Sequence, residues 1–367
     1  MRAPGAPVIP GPSSAPPAAP PPAPLTASVH YGGPDQPPRV LRELLLAKIQ
    51  ASPPGSDIDW ATYYFSDQGL ADALIAAKAR GVNVRVVVEA QPRTAAVNAA
   101  TIGSLRQGLG EGLSLHRSWL RGSHLHAKIY AFSAPQPDAL IGSYNPSGDV
   151  VDDPRLADEI GDQDRGENLL VDFREPAVAR ALQAQVRRLW SGRGYTPFSR
   201  RQNRPVQIAN VTLYFYPRLR SDVVERTLAH LGPGDSVRAA VSHMDDGGFA
   251  QGLGAAARRG AKIQLIVHDT TRRVPEAVVL GLRRAGVAVQ RYCVADRLPM
   301  HAKFVIVERH QRRAAWFGSL NYNLTSRYLN QEVLARSTDA DLVDDLEGRF
   351  RVLTQAADKG DCVAAKP

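Results

Sequence analysis

The stretch His126-Ala127-Lys128 recurs in the second part of the chain as His301-Ala302-Lys303. Each copy is followed by the same short polar pattern, first as Gly142-Ser143-Tyr144-Asn145 and then as Gly318-Ser319-Leu320-Asn321. Either element alone is common, since a lone His-x-Lys is usually the solvated edge of a strand and Gly-Ser-x-Asn is an ordinary turn. The recurrence of both at one spacing indicates two copies of a single functional unit.

The flanks of the two copies also correspond. Upstream of each copy an alanine-rich helix pattern ends at a glycine, Gly81 or Gly260, and a buried strand pattern follows. The offset is 179 residues between these glycines, 175 between the histidines and 176 between the asparagines of the polar patterns. Such agreement indicates an internal repeat, and apolar strands that alternate with helices predict an α/β fold of two similar α/β/α halves.

The repeat continues downstream of the polar patterns. The strand pattern at 167–171, which begins with Glu167, matches the pattern at 332–336, which begins with Glu332. Helix patterns follow at 176–190 and 339–354. The first half carries an additional acidic segment at 148–165, which we expect to be a surface loop near the site.

A polar, basic connector at 198–205 predicts the boundary between the halves. The predicted divisions are a disordered Pro/Ala-rich tail, the first half, the second half and a C-terminal tail, at residues 1–24, 25–205, 206–357 and 358–367.

The 367 residues carry a net charge of +9, with a pI of about 9.7. This charge favours anionic partners, such as phosphate esters, nucleic acid or an acidic membrane surface, without choosing among them. No run of eighteen apolar residues predicts a membrane span, and no signal peptide is visible. We expect a soluble monomer, exported if its true start lies upstream and cytoplasmic otherwise, with Cys293 and Cys362 as unpaired thiols.

Each His-x-Lys predicts a strand that presents its histidine and lysine on one face. Charge gathers on the oxygens of a phosphodiester as it reacts, and preorganised donors that stabilise such charge are often the largest catalytic contribution. A neutral imidazole can attack phosphorus, while a protonated one can supply a proton to the leaving oxygen. The predicted phosphate-binding residues are Lys128, Lys303, Asn145, Asn321, Ser143 and Ser319.

Histidines used in this way need a fixed tautomer. We expect Glu167 and Glu332 to fix it, each holding the imidazole of its own half. The predicted catalytic residues are therefore His126, His301, Lys128, Lys303, Asn145, Asn321, Glu167 and Glu332.

With these motifs, residues 26–354 resemble the phospholipase D superfamily, whose signature is HxKxxxxD followed by Gly-Ser-x-Asn and a downstream Glu. The resemblance implies two halves around a pseudo-twofold axis, with one site between them and no metal or cofactor. It also implies a covalent phosphohistidine, with His126 as nucleophile and His301 as general acid. The sequence departs from the pattern at the family's Asp position, which is Ser133 in one half and Glu308 in the other.

The resemblance favours a phosphodiesterase or phosphatidyltransferase that acts on phospholipids at a membrane surface, by phospholipase D or cardiolipin-synthase-like chemistry. The first alternative is a phospholipase D-family endonuclease, which the positive charge would suit. The second is a catalytically weakened binding module, against which the intact histidines, lysines and asparagines argue.

Overall fold

The structure, a computed structural model, describes residues 26–94, 96–118, 120, 122–147, 165–196, 198–199, 203–293 and 298–359. The predicted N-terminal tail, nearly all of the acidic segment and residues 360–367 of the predicted C-terminal tail lie outside the described residues.

The first sheet has the strand order β1-β7-β6-β5-β2-β3-β4. Its strands β2, β3 and β4 run parallel, and the other neighbours pair antiparallel. The strands are β1 (Ala27–Gly32), β2 (Asp57–Thr62), β3 (Asn83–Glu89), β4 (Leu113–His116), β5 (Ile129–Phe132), β6 (Asp138–Gly142) and β7 (Asn168–Phe173).

The second sheet repeats this arrangement, with the order β12-β11-β10-β13-β14-β15-β9 and the short strand β8 added beside β9. Its strands are β8 (Val206–Ile208), β9 (Val211–Tyr216), β10 (Ser236–Val241), β11 (Lys262–His268), β12 (Ala288–Tyr292), β13 (Phe304–Arg309), β14 (Arg312–Gly318) and β15 (Glu332–Ser337). The predicted fold class, α/β with two similar halves, is confirmed.

Helices cover both faces of each sheet. The helices are α1 (Val40–Ala51), α2 (Gln68–Ala79), α3 (Ala96–Leu109), α4 (Pro176–Trp190), α5 (Glu225–Leu228), α6 (Gly248–Arg258), α7 (Glu276–Arg284), α8 (Leu324–Tyr328) and α9 (Ala340–Lys359). Helices α1 to α3 pack on the outer face of the first sheet, and α5 to α7 on that of the second. Helices α4 and α9 pack on the inner faces, in the core between the sheets.

Helix α4 shows how the sequence produces this inner layer. Its N-cap Glu175 accepts the N–H of Ala177, and Pro176 occupies the first turn, where its missing N–H costs nothing. Four apolar side chains spaced by three or four residues form one buried stripe: Val178, Leu182, Val186 and Leu189. Phe173 and Phe317, from different sheets, stack 6.0 Å apart in the same core, so the halves share one apolar centre.

The histidine and lysine of each motif lie immediately before a strand and not within it. Strand β5 begins at Ile129 and β13 at Phe304. The prediction that these residues form part of a strand was wrong, because the backbone N–H groups of His126 and His301 donate to the opposite half.

The residues at the family's Asp position lie beyond the motif strands, away from the histidines. The hydroxyl of Ser133 accepts the N–H of Asp57 at 2.8 Å, which closes the end of the β2–β5 pair. Glu308 lies near the surface, 3.9 Å from Arg238. These departures therefore change strand-end contacts and leave the histidine–lysine pairs intact.

Two further observations concern the predicted environment of the chain. Cys293 is disulfide-bonded, so the prediction of an unpaired thiol at this residue was wrong. Within the described residues, no helix combines the length and apolar character that a bilayer-spanning helix requires.

Candidate active site

Each histidine motif is bound by the opposite half of the chain. The N–H of His126 donates to the carbonyl of Gln331 at 2.9 Å, and the N–H of His301 donates to the carbonyl of Glu167 at the same distance. These reciprocal contacts continue as isolated parallel bridges between the halves. The two motifs therefore meet in a single site across a pseudo-twofold interface.

The imidazole of His126 is held by a carboxylate from the second half. Its Nδ1 lies 2.9 Å from the carboxylate of Glu332, which also accepts the hydroxyl of Ser319 at 2.5 Å. Glu332 is 1% exposed. Its pKa is lowered overall: burial raises it, but the neighbouring His126 and Lys128 outweigh that effect. The prediction that Glu332 holds the histidine of its own half was wrong.

The imidazole of His301 is held by an amide from the first half. Its Nδ1 lies 3.0 Å from Oδ1 of Asn168, and that oxygen also accepts the hydroxyl of Ser143 at 2.9 Å. Asn168 is not among the residues predicted from the sequence. The two histidines thus have corresponding partners of different charge, a carboxylate for one and a neutral amide for the other.

The strand register explains why Asn168 was missed. The glycines of the two polar patterns pair with Leu170 and Leu334, and Asn168 and Glu332 each lie two residues before those leucines. The predicted match of Glu167 with Glu332 was therefore displaced by one residue. An alignment on the residues that pair with Gly142 and Gly318, and not on the shared glutamate, pairs Asn168 with Glu332.

Glu167 contacts neither imidazole, so its predicted role was wrong. Its carboxylate accepts the hydroxyl of Tyr292 at 2.6 Å and is paired with the guanidinium of Arg349 from α9. Burial raises the pKa of Glu167, although Arg349 opposes that effect. Glu167 therefore contributes its carbonyl to the site and its carboxylate to the packing of α9.

The two serines position other side chains. Besides donating to Asn168 and Glu332, the hydroxyls of Ser143 and Ser319 each accept a backbone N–H of the following strand at 3.1 Å. Both serines are fully buried. The single proton of each hydroxyl is thus donated within the protein, which positions Asn168 and Glu332. The contact of these serines with phosphate stays a prediction.

The lysines lie side by side with the histidines. Nζ of Lys128 donates to the carbonyl of His126, and Nζ of Lys303 to that of His301, both at 2.7 Å. Burial lowers the pKa of Lys128 to about 7. Burial and then the charges of Lys128 and Arg273 lower the pKa of Lys303 well below its ordinary value. Cations crowded in this way favour the binding of an anion between them.

Burial and neighbouring cations also lower the pKa values of the two imidazoles. Burial lowers the pKa of His126 to about 4, although the Glu332 carboxylate opposes it. The pKa of His301 falls well below 6.5, first through burial and then through the charges of Lys303 and Arg273. Both rings are therefore neutral at pH 7 in the unliganded site, and a bound anion would raise both pKa values.

The two asparagines that follow the motif strands lie at corresponding places. Asn145 is 1% exposed, and its Oδ1 accepts the N–H of Tyr64 at 3.4 Å. Asn321 has a buried Oδ1 that makes no hydrogen bond with the described residues. The role of the two amides in binding phosphate stays a prediction.

An aromatic side chain that the sequence analysis missed forms one wall of the site. The ring of Tyr63 lies 5.3 Å from the ring of His126, and Nζ of Lys128 lies 5.6 Å from its centre. The hydroxyl of Tyr63 accepts the N–H of Arg93 at 2.7 Å, which fixes the ring. Only the tertiary structure brings this tyrosine, at the end of β2, to the motif.

A family model confirms the resemblance that the motifs suggest. The model of the family described as cardiolipin synthase, PLD-like domain, matches residues 45–190 and 230–354. The chain belongs to the phospholipase D superfamily. No curated protein sequence matches it significantly.

Solved structures agree with this membership at the level of the fold. Phosphatidylserine synthase from Haemophilus influenzae Rd KW20 has a TM-score of 0.62 at 13% identity, with 91% of this chain and 88% of that one covered. Polyphosphate kinase from Porphyromonas gingivalis has a TM-score of 0.60 at 14% identity, with 90% of this chain and 50% of that one covered. This chain therefore spans about half the length of that kinase.

The described residues of this superfamily member contain no group of three or more His, Cys, Asp or Glu side chains arranged to hold a metal ion. Among the described residues, the charged groups that act on Lys303 and Glu332 are those of the two motifs, Glu332 itself and Arg273. The arrangement can hold a phosphate oxyanion between two lysines and present an imidazole on either side of it.

Proposed function

We propose that the chain is a phosphodiesterase or phosphatidyltransferase of phospholipids that reacts through a phosphohistidine on His126 and requires no metal. The observation that carries the proposal is the unequal pairing of the histidines, a carboxylate on His126 and an amide on His301. One chain supplies both histidines, so we expect the monomer to be active.

The carboxylate makes His126 the better nucleophile. With Nδ1–H donated to Glu332, the lone pair of Nε2 is directed away from the carboxylate. A phosphorylated imidazole carries positive charge, which the Glu332 carboxylate stabilises. His301 lacks such a partner, because the Asn168 amide fixes the ring without adding charge. These roles agree with those that the family resemblance implies.

His301 is suited to act as the general acid once substrate is bound. In the unliganded site its neighbours are cations, which lower its pKa. A phosphodiester between the lysines adds negative charge and raises that pKa, so substrate binding favours the protonated ring. Protonation of His301 is thereby coupled to the presence of substrate.

The proposed reaction has two steps. Nε2 of His126 forms a bond to phosphorus, the bond to the leaving oxygen breaks, and His301 gives that oxygen its proton. A water molecule then attacks the phosphohistidine and gives a proton to His301, and the phosphorus–nitrogen bond breaks to restore His126. An alcohol in place of water gives transfer in place of hydrolysis. Throughout, Lys128, Lys303 and the two asparagines would stabilise the charged oxygens.

A surface beside the site supports a lipid substrate. A cavity of about 110 Å³ is lined by Gln331, whose carbonyl binds His126, and by Leu120, which is 37% exposed. Phe198 and Leu219, 76% and 41% exposed, lie within two residues of the cavity-lining Thr196 and Pro217. Exposed apolar groups at one place suit contact with acyl chains or a membrane surface. We name Leu120, Phe198 and Leu219 the apolar rim.

The description of the family model and the name of one solved structure also favour a lipid substrate. The matching family model is described by cardiolipin synthase, and one solved structure of the same fold is a phosphatidylserine synthase. Both names refer to phospholipid synthesis. Together with the apolar rim, they favour a phospholipid over a nucleic acid as substrate.

The nuclease alternative rests on the positive charge and on the basic residues near the connector. Arg218, one of these, is 9% exposed, and its guanidinium lies over the rings of Tyr214 and Tyr216 at 5.3 and 5.8 Å. It is therefore used in packing and is poorly placed to bind a phosphate backbone. We retain the endonuclease as the second candidate.

A test of the mechanism uses bis(4-nitrophenyl) phosphate with EDTA present. Because nitrophenolate leaves without protonation, His301→Ala should release about one equivalent and then stall, with a 4-nitrophenyl phosphoryl adduct on the peptide that contains His126. His126→Ala should lose at least about 10³-fold in turnover. His230→Ala, which removes an exposed histidine, is the matched control and should behave as the wild type.

Two results would contradict the proposal. An adduct on His301 would reverse the assigned roles, and normal turnover by His126→Ala would exclude the phosphohistidine. Parallel incubations of the wild type with phosphatidylglycerol, phosphatidylcholine and plasmid DNA identify the substrate class, and consumption of DNA alone would favour the endonuclease.

A further inference from the structure

The backbone of Glu167 holds the segment that leads to the second motif histidine. The N–H of Glu167 donates to the carbonyl of Pro299 at 2.9 Å, and its carbonyl accepts the N–H of His301 at 2.9 Å. These two bonds form the parallel bridge between Glu167 and Met300. The position of the His301 backbone therefore depends on the position of one residue of the first half.

Gln331 holds the first motif histidine in the same way. Its N–H donates to the carbonyl of His124 at 2.8 Å, and its carbonyl accepts the N–H of His126 at 2.9 Å. Gln331 and Glu167 each directly precede the side chain that binds an imidazole Nδ1. The two residues are therefore equivalent in the repeat.

The side chains of these equivalent residues are bound differently. The amide of Gln331 forms two hydrogen bonds with the backbone of Tyr195, at 2.8 and 2.7 Å. The carboxylate of Glu167 instead accepts the hydroxyl of Tyr292 at 2.6 Å and is paired with the guanidinium of Arg349. Neutral bonds to backbone thus hold the first bridge, whereas side chains of β12 and α9 hold the second.

The segment before the second histidine also has fewer bonding groups of its own. Before the first histidine, the hydroxyl of Ser123 donates to a carbonyl of the second half at 2.7 Å, and the N–H of Leu125 donates to the carboxylate of Glu89 at 2.6 Å. The equivalent segment at 298–300 reads Leu-Pro-Met. Its side chains carry no strong donor or acceptor, and proline has no N–H. This segment therefore relies more heavily on Glu167.

Arg349 is itself held firmly by the first half. Its guanidinium binds the carboxylate of Asp35 through two nitrogens, at 2.6 and 2.9 Å, and donates to the carbonyl of Gly32 at 3.2 Å. Paired bonds of this kind fix the orientation of a guanidinium. Glu167 and Arg349 are 1% and 4% exposed, so solvent competes little for these bonds. The Glu167 carboxylate is therefore bound in one place.

We propose that Glu167 is a positioning residue for His301 and that Arg349 and Tyr292 hold it in place. The inference rests on the proposed function, since it takes His301 to be the general acid. Loss of either partner would allow Glu167 to shift, and the backbone of His301 would shift with it. A displacement of about 1 Å in a catalytic group can lower the rate by about 10²-fold.

The effect of such a shift should depend on the leaving group. Nitrophenolate leaves without a proton, whereas the glycerol of phosphatidylglycerol must receive one from His301. A displaced His301 should therefore slow the cleavage of phosphatidylglycerol and spare the attack of His126 on a nitrophenyl ester. A general loss of structure would slow both reactions.

The test measures single-turnover rates, with enzyme in excess, for bis(4-nitrophenyl) phosphate and dihexanoylphosphatidylglycerol. In Arg349→Gln and in Tyr292→Phe the nitrophenyl rate should change less than about threefold, and the lipid rate should fall at least about tenfold. Tyr292→Phe removes a single hydroxyl and decides the matter if Arg349→Gln does not fold. Arg238→Gln removes another arginine paired with α9, 3.1 Å from Glu347, and is the matched control that should keep both rates.

A second measurement needs no substrate and follows hydrogen exchange at the backbone amides of His301 and His126. In both variants the His301 amide should exchange at least about tenfold faster, while the His126 amide stays within about threefold of the wild type. Because only one of these amides is bound by Glu167, a general loss of structure would accelerate both.

Three results would overturn the inference: equal slowing of the two substrates, an equal loss of lipid cleavage in Arg238→Gln, or unchanged exchange at the His301 amide. If the wild type consumes neither phosphodiester, the proposed function fails. Exchange at the two amides then still decides whether the Glu167 side chain holds the backbone of His301.

Discussion

One pair of side chains gives the two histidines different chemistry. Glu332 and Asn168 occupy corresponding positions, are positioned by corresponding serines and bind Nδ1 of His126 and His301 at nearly equal distances. They differ in charge, and the Glu332 side chain is longer by one methylene. A carboxylate raises the pKa of the ring it binds, and an amide leaves that pKa to burial and to the neighbouring cations.

Substitutions that remove the charge at Glu332 or add one at Asn168 should shift the pH dependence of kcat/KM. The limb that shifts depends on the role of the histidine that each side chain binds. Glu332→Gln removes the group that raises the pKa of His126, so the acid limb of kcat/KM moves to lower pH while the maximal rate falls at least about 10²-fold. Asn168→Asp raises the pKa of His301. Because the general acid must be protonated, the alkaline limb should then move to higher pH. Shifts on the opposite limbs would reverse the assigned roles.

At the scale of elements, Asn168 and Glu332 are placed by two close contacts between neighbouring strands. A Cβ on Gly142 would lie 2.0 Å from the carbonyl oxygen of Leu169, and one on Gly318 would lie 2.3 Å from that of Val333. The glycines of both polar patterns are thus required where β6 meets β7 and where β14 meets β15. These two contacts fix how closely β7 and β15, which begin with Asn168 and Glu332, approach the neighbouring strands.

Gly142→Ala should therefore destabilise the protein and disturb the site together. The added methyl must push β7 away, which we expect to cost about 1–3 kcal/mol or more and to lower turnover by displacing Asn168. Gly103→Ala is the control, because nothing lies within 4 Å of that position in α3 and alanine favours a helix. Urea unfolding and turnover of bis(4-nitrophenyl) phosphate measure both effects. Unchanged stability of Gly142→Ala would refute the close-contact argument.

At the scale of the whole molecule, each half completes the site of the other. Glu332 holds a histidine of the first half and Asn168 a histidine of the second, while Arg349 of α9 binds Glu167 across the same interface. Neither half alone contains a motif histidine together with the side chain that binds its Nδ1. Of the apolar rim, Leu120 lines the cavity that Gln331 also lines, and Phe198 and Leu219 each follow a cavity-lining residue by two positions in the chain.

If the apolar rim contacts a membrane, Phe198→Glu should weaken binding to phospholipid vesicles. Burial of a phenylalanine side chain contributes about 1.5–3 kcal/mol, so the vesicle dissociation constant should rise at least about tenfold. Leu280→Glu introduces the same charge at an exposed leucine on α7, outside the apolar rim, and is the control for charge. Co-sedimentation with phosphatidylglycerol vesicles measures both variants. An equal loss in the two would indicate a general charge effect.

The sequence by itself determined the repeat, the α/β architecture and the residues with reactive chemistry. Those conclusions depend on local periodicity and on motif spacing, which the chain order preserves. His126 and Lys128, with their counterparts in the second half, do lie close together.

Only the tertiary structure decided which side chain serves which histidine. The predicted pairing within each half was wrong because the motifs hydrogen-bond across the interface, a contact between residues 206 positions apart that no local pattern records. Glu167 and Asn168 are neighbours in the sequence, yet the strand alternation turns one toward Arg349 and the other toward His301. Tyr63 and Arg273 reach the site for the same reason, because strand ends distant along the chain converge at one edge of two facing sheets.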